Sequence, residues 1–427
     1  MEIKIDIESL LGNHVAPYIY NTNNFEPGKT WVYYSGPYWD NKETEAAINA
    51  FLNGNWISSG EQVYEFERKF AKKFNTKHSI MVNSGSSANL VLIASLKKYF
   101  KWNDDDEIIV SPVGFPTTIS VLYQNRLKPV FVDIEWDTLN FDLNQIEDKI
   151  TSKTRGIFVS PVLGNPPDMD RLLEISKKHN IKLIGDNCDS LGSKWNGKFL
   201  NEYYIGYSNS FYASHHISTG EGGMIGTNDS GLKKILTSMS WWGRDCDCVG
   251  PENLLVCGGC GHRFDKWLDD YNGIVDHKYV FTNMGYNLKP LDLQGAIGII
   301  QLGKFDEIDY NRKISKNTIE KIFLDNISGV RGVKQLAGAD VCWFGTPFIC
   351  DEQGLKHKLV QYLEDNKIQT RNYFTGNVLM HPGYGFLDDY KRYPESNKVL
   401  DKVFFIGAAP HYKEIVFKYI EDIIKKF

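Results

Sequence analysis

The sequence predicts an α/β protein, a sheet of buried strands interleaved with helices, followed by a smaller α/β unit. Three observations carry this. Short apolar runs (His78–Val82, Glu107–Ser111, Pro129–Asp133, Gly156–Val162 and Lys182–Asp186) recur between stretches of helical periodicity. The first passes through a small-residue turn, Asn83-Ser84-Gly85-Ser86-Ser87, straight into a helix over Ala88–Tyr99. The last ends in a carboxylate, Asp186, where open α/β sheets place their ligands, beyond the carboxyl ends of the strands.

Residues 1–40 show no periodicity and are expected to form an irregular arm rich in aromatics, among them Tyr33, Tyr34, Tyr38 and Trp39. From Asn41, Ala46, Ile48, Phe51 and Leu52 recur at helical spacing. After the loop Trp56–Gly60, Val63, Phe66, Phe70 and Phe74 mark a second amphipathic helix. Short helices are expected over Leu143–Ile150 and Leu172–His179, and a longer one over Leu291–Leu302. A charged helix over Asp306–Leu324 then opens a different composition. Strand Trp343–Ile349, helix Leu355–Asn366 and strand Ile368–Arg371 give the small C-terminal unit. The expected division is an arm (1–40), a large domain (41–300) and a small domain (301–427).

Composition narrows the function classes. The chain has 427 residues, 42% of them hydrophobic, enough to bury a large core. A net charge of −5 leaves no basic footprint for nucleic acid. No apolar run reaches membrane-spanning length and the N-terminus lacks a signal-peptide core, so a cytoplasmic enzyme is expected. Seven cysteines in a chain this long do not describe a disulfide framework.

Two local patterns point to chemistry. The turn at Gly85, Ser86 and Ser87 opens a helix, where free N–H groups and the helix dipole favour an anion; the same residues also serve as ordinary helix caps. Ser210–Gly223, S-F-Y-A-S-H-H-I-S-T-G-E-G-G, reads as a short buried strand, a bend and a glycine-rich exit. It resembles the DegT/DnrJ/EryC1/StrS aminotransferases, sugar-modifying enzymes of the fold-type I pyridoxal-phosphate (PLP) class. These carry S-F-x-x-x-K before a G-E-G-G-like exit, and the lysine bonds the cofactor. The resemblance extends from about Tyr34 to the C-terminus. It implies a mainly parallel seven-stranded sheet flanked by helices, plus a small C-terminal α/β domain.

In this chain His215 stands where the family has that lysine, six residues before Glu221. An imidazole does not form a stable imine, but it moves protons near neutral pH. The lysine-lacking members of the family are 3-dehydratases of nucleotide-linked 4-keto-6-deoxyhexoses that use the pyridoxamine form of the cofactor (PMP). The resemblance makes His215 the catalytic base. It assigns the cofactor phosphate to Gly85, Ser86 and Ser210, ring stacking to Phe115 and the pyridine nitrogen to Asp186. Asp189 takes the place of a glutamine near the ring hydroxyl. Asn287, in Gly285-Tyr286-Asn287-Leu288-Lys289, is expected to reach the phosphate of a neighbouring subunit, which implies a homodimer with shared active sites. His216 is expected to be structural. Phe115 also fits the core, and Arg371 fits either a nucleotide diphosphate or the solvated surface.

The cysteines add a further expectation. Between Cys188 and Cys246 lie 57 residues, Cys248 completes a C-x-C, and Cys257 and Cys260 follow. The pattern resembles the iron–sulfur 3-dehydratases of CDP-4-keto-6-deoxyglucose, with Cys188, Cys246, Cys248 and Cys260 as ligands of a [2Fe–2S] cluster. The 11 residues between Cys248 and Cys260 exceed that pattern, so an insertion with an extra Cys257 is implied. Zinc and unliganded thiols remain alternatives. The leading expectation is PMP-dependent C3 deoxygenation of a nucleotide-linked 4-keto-6-deoxyhexose, with electrons from a flavin or iron–sulfur reductase. Behind it stand a cluster-free dehydratase of the GDP-4-keto-6-deoxymannose type, a sugar aminotransferase, and a non-catalytic cofactor-binding relative.

Overall fold

The computed structural model describes residues 25–54, 56–246 and 263–427. Two helices come first among the described residues. Helix α1 (Asn41–Asn53) starts at a capping box in which Asp40 and Glu43 satisfy each other's end of the helix. Helix α2 (Glu61–Lys73) presents Val63, Phe66 and Phe70 on one face.

Seven strands then build one sheet: β1 (His78–Val82), β2 (Glu107–Val110), β3 (Lys128–Phe131), β4 (Thr154–Val159), β5 (Lys182–Asp186), β6 (Gly206–Ser210) and β7 (Gly223–Thr227). Their spatial order is β1-β7-β6-β5-β4-β2-β3. All pairings are parallel except the two made by β7, which runs against β1 and β6. Side chains alternate between the faces of a strand. Ile109, Ile157, Val159 and Leu183 therefore enter one core with α2, while Ile108, Phe158 and Ile184 enter a second core on the opposite face. That second core is covered by α3 (Gly85–Tyr99), α4 (Pro116–Gln124) and α6 (Ser230–Ser240); α5 (Met169–His179) covers the first. Burial on both faces is why these strands read as near-continuous apolar runs.

Several expectations shift. The buried strand expected at the start of Ser210–Gly223 lies upstream as β6, and the motif itself is the bend between β6 and β7. Pro116 at the first turn starts α4 immediately after Phe115, where no element is expected. Helix α6 and a two-stranded hairpin, β8 (Lys266–Leu268) with β9 (Tyr271–Val275), stand where no element is expected.

Helices α7 (Asp292–Gly303) and α8 (Phe305–Asn326) lead to a second sheet. Its strands are β10 (Val330–Gly332), β11 (Gly345–Cys350), β12 (Thr370–Asn372) and β13 (Val403–Gly407), ordered β10-β11-β13-β12 and all antiparallel. Helices α8, α9 (Leu355–Asp365) and α10 (Glu414–Ile424) pack over it through Phe323, Leu359 and Ile420. The described part of the N-terminal arm lies on this unit: Val32 bridges Ile368, and Phe25 meets Tyr419 with ring centroids 5.6 Å apart.

Candidate active site

A cavity of about 700 Å³ opens at the carboxyl ends of β5 and β6, facing the N-terminus of α3. It is walled on its other side by Arg371 and Phe405 of the second sheet and by Phe374 in the turn after β12. His215, Asp186, Asp189, Gly85, Ser86, Ser210, Phe115 and Cys188 all line it. The sequence therefore named one physical site from segments spread over 131 positions, Gly85 to His215.

One end of the cavity is a helix start. Ser84 caps α3 through its hydroxyl, which accepts from the Ser87 N–H, and leaves Gly85 and Ser86 facing the cavity. Gly85 is required by space. A Cβ there would stand 2.5 Å from the Ser210 Cβ and 3.0 Å from the Cys188 Sγ. Backbone N–H groups and the Ser210 hydroxyl thus share a cradle that any side chain at position 85 would fill, and its donors suit a dianionic phosphate.

At the opposite end Asp186 closes β5, buried and held by donors. The Asn89 amide donates to it at 2.8 Å and the Thr118 hydroxyl at 2.6 Å. Ser208 donates to the Asn89 carbonyl oxygen at 2.5 Å, which turns the amide's NH₂ toward the carboxylate. A fixed carboxylate at a strand end suits a protonated pyridine nitrogen. Sequence reasoning missed Asn89, Thr118 and Ser208. Only Asn89 carries a signal, a polar residue between the apolar Ala88 and Leu90; Thr118 and Ser208 stand beside other polar residues and carry none.

Phe115 is 49% exposed inside the cavity wall, so the core alternative fails. Its ring meets Phe374 edge-on at 6.0 Å, leaving a face accessible for a flat ligand. Phe374 has φ +46°, a left-handed conformation that a bulky residue rarely adopts. Arg371 also reaches the cavity and lies over the Tyr34 ring at 4.1 Å, so it belongs to the pocket wall rather than to a remote surface.

His215 is largely enclosed, its side chain 14% exposed, and burial pushes its imidazole down to about 4; the Cys188 backbone opposes this and the Arg312 guanidinium adds to it. The ring is therefore neutral at neutral pH, and its Nδ1 has no hydrogen-bond partner among the described residues. Asp189 moves the other way. Burial, then the neighbouring Asp186, raise its carboxyl to about 7. Its Oδ1 lies 3.8 Å from His215 Nδ1, too far for a hydrogen bond. His216 turns away and bonds the Cys342 carbonyl through Nε2 at 2.8 Å, a structural histidine as expected.

Two expected site groups are not brought into this cavity. Asn287 is exposed, bridges Trp241 and hydrogen-bonds Lys289, outside the lining of its own chain's pocket. Of the expected cluster ligands, Cys188 lines the pocket, with burial and Asp186 raising its thiol well above the usual range. Cys246 is buried outside the pocket lining, and Cys248, Cys257 and Cys260 lie outside the described residues. Among the described residues no three His, Cys, Asp or Glu side chains converge on a metal position.

A family model described as the DegT/DnrJ/EryC1/StrS aminotransferase family matches residues 39–427. The chain belongs to this family. Within the family it is 35% identical over 419 residues to a dTDP-4-dehydro-2,6-dideoxy-D-glucose 3-dehydratase of Saccharopolyspora spinosa, covering 94% of this chain and 88% of that one. It is 35% identical over 347 residues to a GDP-4-keto-6-deoxy-D-mannose 3-dehydratase of Yersinia pseudotuberculosis, covering 80% and 84%. An E. coli GDP-4-keto-6-deoxy-D-mannose-3-dehydratase, solved with bound hydrated PLP, superposes with a TM-score of 0.80 at 29% identity, over 93% of this chain and all of that one. The fold is that of PLP-dependent aminotransferases, and no helix among the described residues is long and apolar enough to cross a membrane.

Proposed function

We propose that this member of the family is a 3-dehydratase of nucleotide-linked 4-keto-deoxyhexoses that works with PMP and uses His215 as its base. One observation carries the reading: a neutral, largely enclosed imidazole lines the cofactor-sized cavity and, among the described residues, no lysine does. The names of the relatives support it. Bound PMP supplies the amine that engages the sugar's C4 ketone and a ring that takes up electron density while the C3 hydroxyl departs.

The chain's own contributions follow from its geometry. Gly85, Ser86 and Ser210 hold the phosphate, Asp186 keeps the pyridine nitrogen protonated, and Phe115 covers a ring face. His215 accepts a proton on Nδ1 and, as an imidazolium, returns it to the leaving oxygen. Asp189, protonated near neutral pH, is a neutral hydrogen-bond donor beside the ring hydroxyl. Arg371 pairs with the diphosphate of the nucleotide. Exposed Asn287 serves the site of a second copy in a homodimer, and the large and small domains meet at this cavity.

The deoxygenated product leaves by one of two routes. The GDP-linked relative, and a GDP-4-keto-6-deoxymannose-3-dehydratase solved with a trapped PLP-glutamate geminal diamine, support a cluster-free route, closed by hydrolysis, with the amine restored from glutamate. The Cys188 thiol in the pocket favours a second reading, in which an iron–sulfur cluster delivers electrons from a reductase. The deciding experiment incubates anaerobically purified protein with PMP and CDP-, GDP- or dTDP-linked 4-keto-6-deoxyhexose, with and without a chemical reductant. Product that has lost the C3 oxygen is expected; gain of an amine at C4 instead would overturn the proposal. Turnover that needs the reductant, with iron lost in Cys246→Ser, would establish the second route.

A further inference from the structure

We propose that Arg312 is a positioning residue for this reaction: its guanidinium ties together the two segments that bring His215 and Phe344 into the pocket, and thereby sets where the His215 ring stands. The chemistry rests on the dehydratase reading; the structural claim rests on the chain alone.

Helix α8 turns Ile308, Arg312, Ser315 and Ile319 toward the interior. An arginine thus occupies a core position, with only 1% of its surface exposed. Its hydrogen bonds all go to main-chain carbonyls. Nη1 donates to Trp343 at 3.3 Å and Phe344 at 3.0 Å, and Nη2 donates to Ser214 at 3.4 Å and His215 at 3.2 Å. None goes to a carboxylate, so the charge is buried without an ion pair among these contacts. A leucine or methionine would fill that space without desolvating a charge. What the arginine adds is a planar fork with donors on both arms, which spans two carbonyl pairs from two segments at once.

Those segments face each other across the pocket floor. The rings of His215 and Phe344 meet at 5.1 Å, and both line the cavity. No hydrogen bond among the described residues fixes the His215 Nδ1. The ring's direction therefore depends on the main chain beneath it, and Arg312 is bonded to that main chain at residues 214 and 215. No contact of Arg312 with the pocket itself is needed, and it is absent from the lining.

The test uses the full chain and needs no sugar. In a His215→Lys background, the new amine condenses with the aldehyde of added PLP, forming C=N and releasing water. Borohydride then delivers hydride to that carbon, and a proton from solvent completes a stable amine that mass spectrometry counts. Adding Arg312→Met is expected to slow this bonding at least tenfold while the dissociation constant for PMP, which has no aldehyde, changes less than twofold. Arg312→Lys keeps the charge and part of the donor set, so it is expected to slow bonding less; it also serves if the methionine variant does not fold. Free guanidinium is expected to restore part of the rate in the methionine variant. Bonding rates within twofold of the His215→Lys parent in every variant that folds would overturn the proposal. So would equal losses of rate and PMP affinity, which mark general damage. Failure of the dehydratase reading would appear separately, as retention of the C3 oxygen by the native sequence.

Discussion

The cradle at Gly85, proposed to hold the cofactor phosphate, makes a quantitative test of the cofactor assignment. At Gly85, replacement by alanine places a methyl 2.5 Å from the Ser210 Cβ, about 1 Å inside the 3.4 Å at which ordinary contact begins. Ser210 ends β6, which is paired on both sides by β5 and β7, so it has little room to retreat. Overpacking of this kind costs about 1–3 kcal/mol. Alanine returns up to about 1 kcal/mol of helix propensity at the start of α3. The net loss of stability is therefore about 0–2 kcal/mol, and the variant should fold. Ligand binding is expected to suffer more, because the methyl occupies the space between the helix N–H groups and the Ser210 hydroxyl. A loss of at least tenfold in PMP affinity, about 1.4 kcal/mol, is expected from a fluorescence titration of the cofactor-free protein. Gly303→Ala is the control, since nothing lies within 4 Å of a Cβ built there. Native PMP affinity in Gly85→Ala, with an unchanged melting curve, would refute the placement of the phosphate.

Two other perturbations report on different walls of the cavity. Asp189 is raised from its ordinary 3.8 to about 7 by burial and Asp186. Within that window the folded chain keeps a proton that the unfolded chain releases, so this group lowers stability as pH rises through the window and most strongly above it. Asp189→Asn removes the effect, and its stability relative to the cofactor-free native protein should rise by about 2–3 kcal/mol between about pH 5 and pH 8 in urea melts. A pH-independent difference would contradict the raised carboxyl. Arg371→Met is expected to raise KM for the nucleotide sugar about 10- to 100-fold, the worth of a charge-assisted hydrogen bond, with kcat little changed; an unchanged KM would remove Arg371 from substrate binding.

The legible part of the fold was the part whose residues do nothing but pack. Strands β1, β2, β4 and β5 are buried on both faces, so their sequences are apolar runs that pattern alone exposes. Strand β6, G-Y-S-N-S, is equally buried yet carries no such signature. Its Ser208 serves the Asn89–Asp186 network and its Ser210 faces the phosphate cradle, so the site itself erased the pattern. Helix α4 was hidden in the same way: Thr118 spends a core position on Asp186, and Pro116 occupies the first turn. His215 and Asp186 were legible because their motifs are local in the chain. Arg312 was not, because among the charged residues of α8 nothing distinguishes an arginine facing carbonyls from one facing water. The cysteine pattern was legible as spacing, but Cys248, Cys257 and Cys260 fall outside the described residues.

Replacing lysine by histidine at one position changes the chemistry open to this pocket only because its other parts remain suited to the cofactor. The Asp186 network still stabilises positive charge at a strand end, and the helix start still offers N–H groups to an anion. A lysine would tether the cofactor and compete with the substrate for it; a neutral imidazole leaves the cofactor's amine to the sugar and keeps a base beside it. Burial is what makes the exchange effective. In water an imidazole is partly protonated at neutral pH, whereas His215, held at about 4, keeps its lone pair there. The same burial keeps Asp189 protonated up to about pH 7, so the pocket presents a neutral base and a neutral acid together. In the proposed reaction His215 carries the proton in both directions while Asp189 donates to the ring hydroxyl, so neither role needs a charged side chain at rest.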